Sequence, residues 1–249
     1  MGGNTDKGDV MLSQLITDKQ RDPLGMLLLD YLNGNKDAAL EVESPDFEMW
    51  TMTGTTMFRD YEEMSELERS ALSMCHGRVL DVGAGSGCHS LILQEKGLQV
   101  DAIDISPGSI EVMQKRGVNN YSHANVFSLR ERKYNTILML MNGLGICGSL
   151  DGCNLFLQFI SSLLVNGGQV LTDSTNFSHS FNIDCHSLTE GYPGETEFVM
   201  RYAGCESDPF AWVYVDFETL RTLAGTHDLD CQCVMTANDG RYLARISFQ

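Results

Sequence analysis

The sequence predicts an α/β fold, a doubly wound and mostly parallel sheet with helices on both faces. Three observations carry this. From Gly77 onward short apolar runs alternate with helical segments, the rhythm of repeated strand-loop-helix units. The first junction, "RVLDVGAGSGCHSLILQEKG" at 78–97, sets Gly83, Gly85 and Gly87 between an apolar run and a helical segment closed by Gly97. The next crossover is punctuated as a helix, with Ser106 as cap, Pro107 at the first position and Gly117 as stop.

The elements follow in order. Residues 1 to about 20 are polar and aperiodic and read as a tail or first helix. Leu24, Leu27, Leu28, Tyr31 and Leu32 have helical spacing over 23–33, with Asp22 as cap and Gly34 as stop. A second helix is expected over 62–74, so that 1–75 forms an N-terminal helical or cap segment and 76–249 the main domain. Strands are expected at 78–82, 99–104, 121–124, 136–141 and 169–172. Residues 174–192 read as loop, and "TEFVMRYAG" and "FAWVYVD" as two strands around Ser207-Asp208-Pro209, a small β insertion at 174–215. After a helix at 217–224, "LDCQCVM" and "RYLARISF" flank Asn238-Asp239-Gly240 as a closing antiparallel hairpin, which brings the main sheet to seven strands.

A chain of 249 residues with 43% hydrophobic content is long enough to bury a core of its own. Its formal charge of −17 repels a phosphate backbone, which argues against DNA and RNA as partners. The apolar run Met26-Leu27-Leu28-Leu29 is too short to span a bilayer and no basic-then-apolar leader precedes it, so a cytoplasmic chain away from membranes is expected. The Met-Gly start has Asp6 where myristoylation needs Ser or Thr. Eight scattered cysteines read as free thiols, and Cys231-Gln232-Cys233, on one face of a strand, as packing.

Glycine has no Cβ, which suits a tight turn, close approach to a ligand, or close helix packing. A dinucleotide fingerprint would need a glycine at Cys88, and a phosphate-gripping loop would need Gly-Lys-Ser or Gly-Lys-Thr. Gly83-x-Gly85-x-Gly87 is neither. Asp104, at the end of the second strand, stands where an acid accepts hydrogen bonds from both hydroxyls of a ribose.

With these residues the sequence resembles the class I S-adenosylmethionine-dependent methyltransferases. The resemblance rests on "VLDVGAGSG" at 79–87, "VDAIDISP" at 100–107, "HANVFSL" at 123–129, "YNTILMLMNGLG" at 134–145 and "LLVNGGQVLTDST" at 163–175. It implies a Rossmann-like sheet and S-adenosylmethionine as cofactor. It also implies that Asp81 and the backbone of Gly83, Ala84, Gly85 and Gly87 face the methionine half, Asp104 the ribose and Ile105 the adenine. Asn125, followed by Val126, stands where the family often has an Asp for the adenine amino group, and an amide oxygen also accepts that bond. Met141 and Asn142 fall beside the methyl-transfer point, with core packing and a turn as their other readings.

Methyl transfer from a sulfonium rests mainly on positioning. Asp173 is the candidate general base, with an ordinary loop acid as its alternative, and Arg59 the candidate partner of the cofactor carboxylate or an anionic acceptor, with a solvated arginine as its alternative. His123, His179, His186 and Cys185 lack zinc-type spacing, so no metal is expected. Tyr192, Tyr202, Trp212 and Tyr214 either line an acceptor pocket or pack a small sheet. Segments 46–61 and 174–214 are expected to form a cover over the cofactor. The expected partner is a small-molecule acceptor, with a protein acceptor as alternative. A non-catalytic cofactor- or partner-binding relative and a nicotinamide-dependent oxidoreductase stand as rival functions, the latter disfavoured by Cys88.

Overall fold

Alternation along the central strands divides their side chains between two cores. The computed structural model describes residues 15–130, 132–176 and 191–249. In β3 (Arg78–Val82) Leu80 and Val82 enter one core and Val79 the other. In β6 (Tyr134–Met139) Ile137 and Met139 oppose Leu138 in the same way. One core is closed by α6 (Leu150–Ile160) and α7 (Phe217–Gly225), the other by α3 (Glu66–Met74) and α4 (Cys88–Glu95). Strands apolar on both faces are what a helix-covered parallel sheet requires.

The sheet has seven strands in the order β11-β12-β7-β6-β3-β4-β5. Here β4 is Gln99–Asp104, β5 Asn120–His123, β7 Leu164–Thr175, β11 Leu229–Thr236 and β12 Arg241–Phe248. From β7 to β5 all pairings are parallel, while β12 is antiparallel to both β7 and β11. The chain leaves β3 toward β4 and β5, then returns to lay β6 on the other side of β3. That reversal is the switch point beside which open α/β sheets bind ligands.

The caps account for several boundaries. Asp22 accepts the Gly25 N–H and Pro23 opens α1 (Pro23–Leu32). Ser65 and Glu68 form a reciprocal capping box, which starts α3 at Glu66 rather than near Glu62. Ser106 caps α5 (Pro107–Arg116), and Gly117 ends it at φ +87°.

A second, five-stranded antiparallel sheet joins distant stretches of the chain. Its path is β10-β8-β1-β2, with β9 (Cys205–Glu206) on β8. The strands are β1 (Ala39–Glu43), β2 (Trp50–Thr53), β8 (Glu195–Tyr202) and β10 (Phe210–Val213). The N-terminal 75 residues are therefore not helical alone, and the insertion strands do not stand by themselves. Leu40, Val42, Trp50, Met52, Phe198, Met200, Phe210 and Trp212 join α1 in a third core. Glu41, Glu43 and Glu197 are exposed. At the far edge of the main sheet Cys231 is buried and Cys233 exposed. Among the described residues no helix is long and apolar enough to cross a membrane.

Candidate active site

The carboxyl ends of β3, β4, β5, β6 and β7 bring the candidate residues to one edge. After β3 the backbone turns through Gly83, Gly85 and Gly87 at φ +69°, +55° and +78°. The three differ in what they face. A Cβ on buried Gly87 would meet Val118 Cγ2 at 2.7 Å, so this glycine serves protein packing, while one on exposed Gly83 would meet only the tip of Ile146, Cδ1, at 2.9 Å. A Cβ on Gly85 would meet nothing within 4 Å. Of the three, only Gly85 leaves the place of an added Cβ free, although the Gly83 backbone is itself exposed.

Around this loop the carboxylates are buried. Asp104 is 7% exposed, and its two oxygens accept the Gly85 and Ser106 N–H groups, each at 2.8 Å. Burial, with the charges of Asp22 and Asp81, raises it to about 6 against those amide bonds. Asp81 is 2% exposed, accepts the Ser90 hydroxyl at 2.6 Å, and is likewise raised by burial. His123 Nε2 lies 2.7 Å from the Ile105 carbonyl oxygen, and the Ile105 side chain is partly exposed. The Asn125 amide oxygen caps a short turn at Val126–Ser128 by accepting the Phe127 N–H at 3.0 Å, and the Val126 side chain is buried in the core.

Past β6, Met141 and Asn142 take φ of +66° and +59°, two successive left-handed residues without the freedom of glycine. Neighbouring side chains hold them. The Thr175 hydroxyl donates to Asn142 Oδ1 at 2.6 Å, and Gly143 N–H donates to Asp173 Oδ1 at 3.2 Å. Asp173 lies within β7, 1% exposed, rather than in a loop beyond it. Burial raises it to about 6. Trp212 of the second sheet closes over the next turn, since a Cβ on Gly145 would stand 1.9 Å from its Cε2.

The network holding Arg59 was not legible in advance. Its guanidinium pairs with Glu68, which also meets His89 Nε2 at 3.0 Å. Burial works to raise Glu68, but the His89 and Ser65 hydrogen bonds and the Arg59 charge prevail and hold it at about 2. Arg59 Nε is buried with no hydrogen-bond partner among the described residues. Alongside, the Ser86 hydroxyl donates to the Met57 carbonyl, Arg116 Nη1 donates to Ser86 Oγ at 2.8 Å, and its guanidinium lies 4.8 Å from the Phe58 ring centre. These bonds tie the glycine loop to α2 (Gly54–Met57) and the residues that follow it, up to Arg59. The Ser65-x-x-Glu68 spacing was the one sequence signal that marked part of this network.

A methyltransferase-domain family model matches residues 79–168. A crystal structure of a SAM-dependent methyltransferase from Bacteroides fragilis, in complex with S-adenosyl-L-homocysteine, shares 40% identity with this chain. The match covers 96% of this chain and 99% of that one, with a TM-score of 0.88. The chain belongs to the S-adenosylmethionine-dependent methyltransferases. The CcbJ methyltransferase of Streptomyces caelestis (14% identity, TM-score 0.56) and the PH0226 protein of Pyrococcus horikoshii (15%, 0.55) share the fold. Each of these two matches covers 78% of this chain and 98% of the other. No curated protein matches it.

In this methyltransferase the geometry joins Asp81, the glycine loop, Asp104, Ile105, Asn125, Met141, Asn142 and Asp173 along one edge, while Val126 turns inward. Of the aromatics, Trp212 packs on the Gly145 turn, Tyr202 donates to Asp30 at 2.8 Å and Tyr192 to Asp216 at 2.5 Å. Cys185, His179 and His186 lie outside the described residues. Asp173→Ala is expected to release the turn at Asn142 and Gly143. At pH 4.5, where Asp173 keeps its proton, the loss of one buried hydrogen bond, about 1–3 kcal/mol, lowers the melting midpoint by roughly 2–10 °C, which scanning calorimetry would read.

Proposed function

We propose that this methyltransferase acts on a small-molecule acceptor held under the five-stranded sheet, with the cofactor along the carboxyl edge from β3 to β5. The observation that carries the reading is the pairing of an open backbone at Gly85 with a buried Asp104 that accepts its N–H. The residues present fit the cofactor. A side chain at Gly85 would fill space that the fold leaves free, and buried Asp81 and Asp104 favour a positively charged ligand.

S-adenosylmethionine, when bound, supplies a methyl group on a positively charged sulfur, already activated for in-line displacement. The methionine half lies along the glycine-loop backbone beside Asp81, and Asp104 holds the ribose hydroxyls. Ile105 and the Asn125–Val126 backbone border the adenine. Arg59 is the partner proposed for the cofactor carboxylate, and its buried Nε, without a hydrogen-bond partner among the described residues, supports that reading. Asn142 and Met141 shape the transfer point, and Asp173 keeps them in place by binding the turn's amide.

Two chain segments far apart in sequence build the covering sheet, and Trp212 closes it onto the turn after β6. A lid so assembled encloses a small acceptor more readily than a folded protein surface. The seven described cysteines are all free, in keeping with a reducing, cytoplasmic compartment. With methyl-labelled donor and a cell extract divided by size, label is expected in the small-molecule fraction. Label confined to protein or nucleic acid would overturn the small-acceptor reading.

A further inference from the structure

Asp22 is 2% exposed, a costly place for a carboxylate without return. Its Oδ1 accepts the Gly25 N–H at 2.9 Å, in the first turn of α1. Its Oδ2 accepts the Ser106 hydroxyl at 2.7 Å and the Gly108 N–H at 2.9 Å, at the start of α5. Two helices thus begin at one carboxylate, where both dipoles favour negative charge. They also come very close. A Cβ on Gly108 would stand 2.4 Å from the Gly25 Cα, and one on Gly25 would stand 2.1 Å from Asp22 Oδ2.

Ser106 links this anchor to the cofactor site. Its hydroxyl donates to Asp22 while its N–H donates to Asp104 Oδ1. One residue earlier, the Ile105 carbonyl accepts the Ile16 N–H at 3.0 Å, so the N-terminal segment grips the 104–106 stretch at two points. A helix cap needs only the bond to Gly25. The bonds to Ser106 and Gly108 reach across 84 and 86 residues, and their common effect is to fix the backbone that carries Asp104.

We propose that Asp22 is a positioning residue of the cofactor site, holding the Ser106–Gly108 turn from α1 so that the Asp104 carboxylate stays aimed at the ribose. The proposal rests on the reading of Asp104 given above. It has an electrostatic corollary. The charged and titratable groups facing Asp104 are Asp22 from the start of α1, Asp81 from β3 and, opposite it in register, His123 from β5. Burial is the main cause of its raised value, and Asp22 adds to it, so removing the Asp22 charge lets Asp104 ionise at lower pH.

The test is S-adenosylhomocysteine binding by calorimetry between pH 5 and 8, for wild type, Asp22→Asn and Asp22→Ser. Serine keeps a helix-cap acceptor without the charge, so it serves if the asparagine variant does not fold. Wild-type binding is expected to weaken as pH falls through about 6. In the variants, affinity at pH 8 falls about threefold to tenfold from the loss of one anchor. The pH midpoint moves down by about half a unit, a shift that loosened packing alone would not produce. Folded variants with the wild-type midpoint would overturn the proposal. Failure of wild type to bind S-adenosylhomocysteine at any pH would bring down the cofactor reading itself, and this proposal with it.

Discussion

Gly85→Val is expected to abolish S-adenosylhomocysteine binding while leaving the protein folded. Position 85 sits at φ +55°, where a side chain costs about 1–2 kcal/mol of backbone strain. That is tolerable against the roughly 5–15 kcal/mol that keeps a typical protein folded. No protein atom lies within 4 Å of the added Cβ itself, so the first atom of the new side chain meets no clash. The valine instead fills the space assigned to the cofactor, and affinity should drop more than about a hundredfold, or about 3 kcal/mol. Gly87→Val is the control. Its Cβ would stand 2.7 Å from Val118 Cγ2 and 3.1 Å from Met113 Cγ, both buried, so it should unfold the protein at lower temperature. Melting curves and calorimetry on the pair separate the two glycines, and wild-type affinity in Gly85→Val would refute the assignment.

Asp104→Ala should weaken S-adenosylhomocysteine binding by about 1.5–3 kcal/mol, roughly tenfold to more than a hundredfold, because bonds to a charged acceptor are lost. The same residue sets a pH dependence in the unliganded protein. Asp104 and Asp173 rise from 3.8 to about 6, so between those values the unfolded chain has released protons that the native state retains. Stability from these groups is therefore greatest below pH 4 and falls as pH rises to about 6, by about 3 kcal/mol per group. Buried Asp81 is shifted in the same direction. Glu68, held at about 2, has the opposite sign, but its contribution is present above pH 4.5 and is lost only below that. The unliganded wild type should thus melt higher at pH 5 than at pH 7, and Asp104→Ala should lose part of that difference. A wild-type midpoint that rises over this interval would contradict the account.

The parts of this architecture that were legible in the sequence are those whose signals are local. Strands β3 and β4 run Arg78–Val82 and Gln99–Asp104 as read, because glycines or a capping serine bound each apolar run. The closing hairpin and the α5 caps follow for the same reason. β7 was read as 169–172, yet it spans Leu164–Thr175. Its end, Asp173-Ser174-Thr175, looks like a loop because its polar side chains bond Gly143, Val215 and Asn142, partners 30 to 41 residues away. Met141 was placed in β6, but the strand ends at Met139 and Met141 takes a left-handed backbone just before the turn that this scaffold holds. Leu40-Glu41-Val42-Glu43 carries the alternation of a half-buried strand, and so does Trp50-Thr51-Met52-Thr53. What no local pattern could give is the pairing of β1 with β8, in which Val42 lies opposite Met200. Arg59 likewise looked solvated until Glu68 and His89 were brought beside it.

The most direct measurement is a calorimetric titration of the wild-type protein with S-adenosylhomocysteine at pH 7.5 in excess chelator. Among the described residues no cluster of three or more His, Cys, Asp or Glu side chains is placed to hold a metal, and the proposed cofactor contacts come from the glycine loop and Asp104. Saturable binding at one site per chain is expected, undiminished by the chelator and removed by Gly85→Val. No binding, binding that returns only with a divalent cation, or tighter binding of a reduced nicotinamide dinucleotide would contradict it.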